Sequence, residues 1–414
     1  MRRNGMKKGK FLFLVGVIFT LMMILVACNS DSGSEKTSTE PKKSTGDDKK
    51  EETVVDGGTV NIGYTGPLSG PAAFYGERTL NGVKMAVDEI NEEGGFEVAG
   101  KNYKLNLVSL DDKYLPNEAG ANAKRLMQEN KTPIIFTPHS GGVFALQVFN
   151  QQDKFIIGAY TSEPKVIESG NKLTVRIAPG YNGYIEPFTE FAMDKFGKKI
   201  AFLPTASQYG KDWSTALKAH WEKEGGKVVY ESAIDFTKET DFFTTVTNAL
   251  KDKPDVLFIG GASEPTAKVA KQARELGFKG GFVIMDQAKL DEMKAVTGGY
   301  DMLEGSIGVL PLVESNDPGI PSFVKNYKEK YKVDPGSEAG LNYLAMNAFV
   351  EAMKAAGTVD DVDKIREKID AGYKNLPKEK QVYQIVNVGE GGDIQSELEL
   401  GVIEAGKVKI MEVK

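Results

Sequence analysis

The chain has 414 residues, with 52 Lys and Arg against 58 Asp and Glu, and its first 27 residues hold five basic side chains (Arg2, Arg3, Lys7, Lys8, Lys10) and no acid. The remaining 387 residues therefore carry a formal charge near −11 rather than the −6 of the whole, which excludes a nucleic-acid binder, since that needs clustered cations to neutralise phosphates. One cysteine excludes a disulfide framework and any cysteine-ligated zinc or iron-sulfur cluster, while 45 glycines, about 11% against a usual ~7%, point to many tight turns rather than a helical bundle.

In chain order, the basic segment 1–10 is followed by an apolar run from Phe11 to Val26 interrupted only by Gly16 and Thr20, the shape of a secretory signal. The run is short for a bilayer span, which needs roughly 20 residues, and an uncleaved membrane helix is the alternative reading. Leu25-Val26-Ala27-Cys28 resembles the bacterial lipobox, which implies removal of residues 1–27 and lipidation of Cys28. Residues 28–56 form a polar tether with no aromatic residue and only Val54 and Val55 as sizeable apolar groups. Such a stretch cannot bury a core and would span roughly 30 Å as a disordered coil. These features predict a protein held by a lipid anchor on the extracellular face of a cell membrane, of Gram-positive type. No second long apolar run follows, which argues against a transmembrane receptor or permease.

From Gly57 onward, short apolar runs alternate with Gly, Ser, Thr or Asp and then with helical periodicity, the rhythm of βα units around a parallel sheet. Strands are predicted at 60–64, 103–110, 133–137, 155–159, 200–203, 228–234, 255–259, 281–285 and 306–310. Helices are predicted at 78–91, 117–130, 183–196, 211–224, 240–251, 265–276, 322–331, 337–356 and 361–372. Val83, Ala86, Val87 and Ile90 show the i, i+3, i+4, i+7 spacing of a buried helical stripe. So many strands exceed one small sheet and predict an α/β protein of two Rossmann-like lobes. In open parallel sheets a ligand sits beyond the carboxyl ends of the strands, and the segments there are rich in hydroxyls, glycines and tyrosines.

Those segments carry little sign of catalysis. Only His139 and His220 are available as histidine bases, and no HExxH, CxxC, GxSxG, Walker A or GxGxxG motif occurs. His220, beside Trp221 in an amphipathic pattern, reads as a surface or packing residue. A hydrolase working through carboxylates alone is the rival from another class, distinguished by turnover. The expectation is a binding protein, not an enzyme, with no cofactor and no metal. Ser140-Gly141-Gly142 before a helix offers a hydroxyl and exposed N–H groups at the positive helix end, which suits a carboxylate, although Ser140 as a plain N-cap fits equally. Thr161 and Ser162 have the same two readings. Tyr75, Tyr160 and Tyr209 have the flat apolar face and polar tip of a ligand wall, or of ordinary packing. Glu264 reads either as a first-turn acid behind an N-cap at Ser263 or as a cleft residue. Arg176, Asp235 and Asp241 read as structural or rim charges.

Asn61-Ile62-Gly63-Tyr64-Thr65-Gly66-Pro67-Leu68-Ser69-Gly70-Pro71, then Tyr75-Gly76, Asn81-Gly82 and Ala86-Val87-Asp88-Glu89-Ile90-Asn91 with Gly94-Gly95, resembles the start of the leucine/isoleucine/valine-binding proteins. Asp111-Asp112, Gln208-Tyr209-Gly210 and Gln272-Ala273-Arg274-Glu275-Leu276-Gly277 extend the likeness across the folded part. The resemblance implies a type I periplasmic-binding fold, with one lobe of residues 57–177 plus 308–398, another of 178–307 plus 399–414, and three hinge crossings near 177–180, 305–308 and 397–402. It implies an amino acid of branched-chain type or a similar small carboxylate as ligand, and an ABC permease as partner. It also implies that Ser140 holds the ligand carboxylate, that Ala159 and Thr161 bind both ends of the amino-acid head, and that Tyr75 and Tyr209 are aromatic walls. Two positions depart from the family: Ala262 replaces a tyrosine, and the ammonium-binding glutamate falls near Asp286 or Gln287. Where periplasmic members have a disulfide, this chain has Tyr114 and His139, which puts His139 beside the pocket. The altered amine site leaves an amide or aromatic acid as an alternative ligand.

Overall fold

A computed structural model describes residues 55–236 and 238–411. Cys28, the leader and nearly all of the tether lie outside the described residues. The strands in chain order are β1 (Val55–Gly66), β2 (Phe96–Val98), β3 (Lys101–Asp111), β4 (Ile134–Thr137), β5 (Ile156–Ala159), β6 (Thr174–Arg176), β7 (Lys199–Pro204), β8 (Lys227–Glu231), β9 (Val256–Gly260), β10 (Gly281–Ile284), β11 (Ser306–Val309), β12 (Ile385–Val388), β13 (Ile394–Ser396), β14 (Leu400–Glu404) and β15 (Lys407–Met411). Strands such as Ile134-Ile135-Phe136-Thr137 and Val256-Leu257-Phe258-Ile259-Gly260 are buried at every residue. Continuous apolar runs of this kind belong to parallel strands covered by helices on both faces.

Two sheets result. The first has the order β2-β3-β1-β4-β5-β6, parallel except for β2; the second runs β15-β14-β11-β10-β9-β7-β8, with β14 and β15 antiparallel at one edge. Among the parallel strands of each sheet, the first in sequence lies between the second and the third, so each is doubly wound and has a switch point where the connections diverge. The first sheet is packed between the Ala73–Glu92 and Ser337–Ala356 helices on one face and the Pro116–Arg125 and Ser140–Gln147 helices on the other. The predicted stripe Val83, Ala86, Val87 and Ile90 is buried in the first of these cores. In the second lobe the Asn182–Phe196 and Gln208–Lys223 helices bury Trp213 and Trp221 against one face. The Phe243–Lys251, Ser263–Glu275 and Leu290–Thr297 helices cover the other.

The structure adds strands that periodicity did not reveal. β2 and β6 are three residues long, and β12 to β15 form hairpins late in the chain. The run expected as a strand over 228–234 leaves the ladder after Glu231, and Ile234 rejoins it only as a bridge to Thr205. The chain passes from the second sheet to the first lobe's core between Val309 and Leu312, next to the 305–308 expected for the second crossing. Ser306–Val309 is a full strand of the second sheet, paired to β10 and β14, whereas Ile320, Phe323 and Tyr327 already pack in the first lobe.

Candidate ligand-binding site

Beyond the carboxyl ends of the two sheets lies a cavity of about 350 Å³, within the ordinary range for small-molecule sites. Its walls come from the loops that follow parallel strands. After β1 come Pro71, Ala72 and Tyr75; after β3, Tyr114; after β4, His139, Ser140 and Gly141; after β5, Tyr160, Thr161 and Ser162. The second lobe contributes Thr205 to Tyr209 after β7, Asp235 and Phe236 after β8, Ala262 after β9, and Asp286, Gln287 and Lys289 after β10.

The polar end is built on the Ser140–Gln147 helix. His139, not Ser140, caps it: His139 Nδ1 accepts the Gly142 N–H at 2.9 Å, while Nε2 lies 3.0 Å from Asp112 Oδ2. An Nδ1 that accepts must be unprotonated, so the proton sits on Nε2 and is donated to the Asp112 carboxylate. Asp112 is fully buried and is held in turn by the Thr65 hydroxyl at 3.2 Å and the Tyr114 N–H at 2.8 Å. Ser140 is thereby the first helical residue, and its hydroxyl is relieved of capping. Helix geometry leaves the first-turn N–H groups of Ser140 and Gly141 without intrahelical acceptors, and both residues line the cavity. Next to them the Thr161 Oγ1 accepts the Glu163 N–H at 3.2 Å, which leaves the hydroxyl proton to donate.

Aromatic side chains form the rest of the wall. Tyr75 donates to the Pro138 carbonyl at 2.7 Å and its ring lies 6.2 Å from that of Tyr160. Tyr209 donates to Asp286 Oδ1 and lies 3.0 Å from the Ser162 hydroxyl of the other lobe; Trp213 Nε1 donates to the same Asp286 oxygen at 2.9 Å. Gln287 Nε2 donates across the cleft to Tyr114 Oη at 2.9 Å, and the Tyr114 ring lies 4.8 Å from the His139 ring. Burial pushes the Tyr75, Tyr160 and Tyr209 phenols well above their usual range and Tyr114 up to about 12. All four therefore present neutral O–H groups at physiological pH. The Lys289 ammonium donates to the Asp286 backbone carbonyl.

Seven of the nine residues expected to bind ligand line this cavity together: Tyr75, Ser140, Tyr160, Thr161, Tyr209, Ala262 and Asp286. Ala159 does not. It is the fully buried last residue of β5, and its carbonyl accepts the Ile177 N–H at 2.9 Å and the Thr161 N–H at 3.1 Å. Glu264 does not either. The helix is capped at Ala262 rather than Ser263, and Glu264 points outward to pair with Lys268 Nζ at 2.7 Å. Ser263 instead donates to Glu292 Oε2 at 2.6 Å. Asp235, read as a rim charge, lines the cavity beside Phe236, whereas Arg176 is buried near Asp393 at 3.9 Å. The position of Phe236 and Lys289 just past strand ends was the available signal, but their residue types alone did not single them out.

A family model for periplasmic binding proteins matches residues 59–384. The chain is 25% identical over 322 residues to a leucine-, isoleucine-, valine-, threonine- and alanine-binding protein of Pseudomonas aeruginosa, covering 77% of this chain and 84% of that one. It is 25% identical over 357 residues to a Leu/Ile/Val-binding protein of Rhizobium johnstonii, covering 85% and 94%. Among solved structures, a leucine-binding protein of Thermotoga maritima superimposes with a TM-score of 0.73 at 24% identity, over 85% of this chain and 98% of that one. A Rhodopseudomonas palustris solute-binding protein in complex with benzoate does so with a TM-score of 0.71 at 19% identity, over 85% and 95%. Two doubly wound lobes, a cavity at their strand ends and a match over most of the chain identify this protein as a solute-binding member of the periplasmic binding protein family.

Proposed function

We propose that this chain is the extracellular, lipid-anchored solute-binding protein of an ABC importer and that it captures an amino acid of branched-chain type, or a similar small carboxylate, between its lobes. The observation that carries the reading is the juxtaposition in one cavity of a helix N-terminus with Ser140, Gly141 and Thr161 on one lobe and the Asp286 carboxylate on the other. Backbone N–H groups and hydroxyls suit a carboxylate, an acid on the opposite wall suits an ammonium, and the tyrosines and Phe236 suit an apolar side chain. Similarity to proteins named for leucine, isoleucine and valine supports that solute class. Closing the lobes excludes water, strengthens each polar contact and presents one surface to a permease.

A second reading, an aromatic acid or amide, is favoured by the state of Asp286. One of its oxygens is already committed to Tyr209 and Trp213, which weakens its claim on an ammonium. A thermal-shift panel of the proteinogenic amino acids plus benzoate and benzamide separates the two readings. A solute at 100 times its dissociation constant stabilises by about 2.7 kcal/mol. A shift with leucine, isoleucine or valine supports the first reading; a shift with benzoate or benzamide alone replaces it by the second. Anchoring through Cys28 is tested by labelling cells that express the full chain with a radioactive fatty acid, where Cys28→Ser should abolish incorporation into the protein.

A further inference from the structure

The two lobes also meet through charged side chains that the solute cavity does not use. Arg78 on the Ala73–Glu92 helix and Glu338 in the first turn of the Ser337–Ala356 helix come from the first lobe. Asp291 and Glu292, in the first turn of the Leu290–Thr297 helix, come from the second. Arg78 Nε lies 3.3 Å from Glu292 Oε1 and 4.0 Å from Glu338 Oε1. The site is shut off from water, with side-chain exposures of 8% for Glu292 and 1% for Glu338. Ser263 donates to Glu292 Oε2, but Glu292 Oε1 and both oxygens of Glu338 are buried without a hydrogen-bond donor. Part of the single guanidinium is committed elsewhere, since Arg78 Nη1 donates to the Asp334 carbonyl at 2.6 Å.

Two cations, Arg78 and, toward Asp291, Lys289, face three carboxylates, which still leaves negative charge uncompensated, and orphaned acceptors in a dry interface are costly. A proton shared between two carboxyl groups removes one charge and supplies the missing donor together. Among the described residues no three His, Cys, Asp or Glu side chains are disposed to hold a metal ion. We propose that Glu292 and Glu338 form a proton-binding site that is completed only when the lobes come together, so that solute capture takes up one proton from solvent. This rests on the reading that the lobes close on a solute.

The surroundings agree. Besides Arg78, the pair is faced by Lys289 and Asp291 at the start of its own helix, Ser263 from the Ser263–Glu275 helix, and Tyr327 from the Ile320–Tyr331 helix. Burial and then the Glu338 carboxylate push Glu292 well above the usual carboxylate range, and the same two causes push Asp291 up to about 6. Parting the lobes removes the burial and the Glu338 neighbour that raise Glu292, so its pKa falls back toward the usual carboxylate range. A group whose pKa rises on closure binds more protons in the closed state. Closure is therefore fully favoured below the open-state value and weakens as pH rises through the closed-state value. For one proton, the apparent dissociation constant should rise by up to about tenfold per pH unit between those values.

The test has two arms on the intact protein. With L-isoleucine as probe, titration calorimetry at pH 7 in phosphate and in Tris should give enthalpies differing by the uptake of close to one proton. E292Q and E338Q should each remove most of that difference and flatten the pH dependence of affinity. Equal enthalpies in the two buffers, with isoleucine bound by the wild type, overturn the proposal. Without any solute, small-angle scattering should show the wild type becoming more compact from pH 8 to pH 5 and E292Q unchanged. A wild-type radius that does not respond to pH overturns the proton site whatever the solute is. Compaction retained in a protein that ignores isoleucine overturns only the solute reading.

Discussion

At the scale of single residues, the cavity depends on groups whose roles differ from what their types suggest. His139 spends both ring nitrogens on the scaffold, capping a helix and pairing with Asp112, and so relieves the Ser140 hydroxyl of capping. Ser140→Ala and Thr161→Ala should each weaken solute binding by about 1 to 3 kcal/mol if they contact a charged group, read by calorimetry; unchanged affinity in both would reduce them to structural roles. Glu163 sits fully buried by the first crossing, with Lys165 N–H at 3.2 Å and one carboxylate oxygen unpartnered. Burial pushes it up to about 7. An acid with a raised folded-state value stabilises most below its unfolded value near ~4.3 and loses that stability as pH rises through about 7. The melting temperature should therefore fall between pH 5 and pH 8, and fall less in Glu163→Gln. Tyr75, Tyr160, Thr161 and Tyr209 were legible as cavity residues because each closely follows a readable strand. Of the two readings open for Glu264, the structure takes the first-turn acid, paired outward with Lys268, because the sequence alone does not fix which way that turn faces.

At the scale of elements, close approaches rather than propensities decide several positions. Gly82 lies on the Ala73–Glu92 helix where it crosses the Ser337–Ala356 helix, and a Cβ there would come within 2.1 Å of the Ala339 carbonyl oxygen. Alanine in place of glycine gains up to about 1 kcal/mol of helix propensity, but an overlap with rigid backbone costs typically 1 to 3 kcal/mol or more. Gly82→Ala should thus lower the melting temperature despite its better propensity. The strands of the parallel sheets were readable because burial on both faces demands unbroken Ile, Val and Phe. The hairpin strands were not: β12 reads Ile385-Val386-Asn387-Val388 with Val386 exposed, and β15 alternates Lys with Val and Ile. Both are edge elements whose pairing is set by neighbours rather than by their own pattern.

At the scale of the whole molecule, contacts across the cleft are few and of unequal worth. Lys165 Nζ bridges to Asp212 Oδ1 at 2.6 Å, but its side chain is 53% exposed, and such pairs contribute about 0 to 1 kcal/mol. Lys165→Ala should change solute affinity by no more than about fivefold. The contacts among Arg78, Glu292 and Glu338, between Ser162 and Tyr209 and between Gln287 and Tyr114 are better shielded from water. Addition of a bound solute should reduce the radius of gyration, and scattering that shows no change would contradict capture by closure. Among the described residues no helix is long and apolar enough to cross a membrane.

The sequence by itself determined the two-lobed α/β plan and the segments that line the cleft, because hydrophobic periodicity and turn chemistry are local and a doubly wound sheet always presents its strand ends to the ligand. Only the tertiary structure decided which polar groups are already spent. Asp112 meets His139, Tyr209 meets Asp286, and Glu292 meets Glu338 across sequence separations that no local pattern encodes. Whether a carboxylate faces a ligand, a tyrosine or a second carboxylate depends on which chain segments packing brings within hydrogen-bond reach, and on how much water that packing removes.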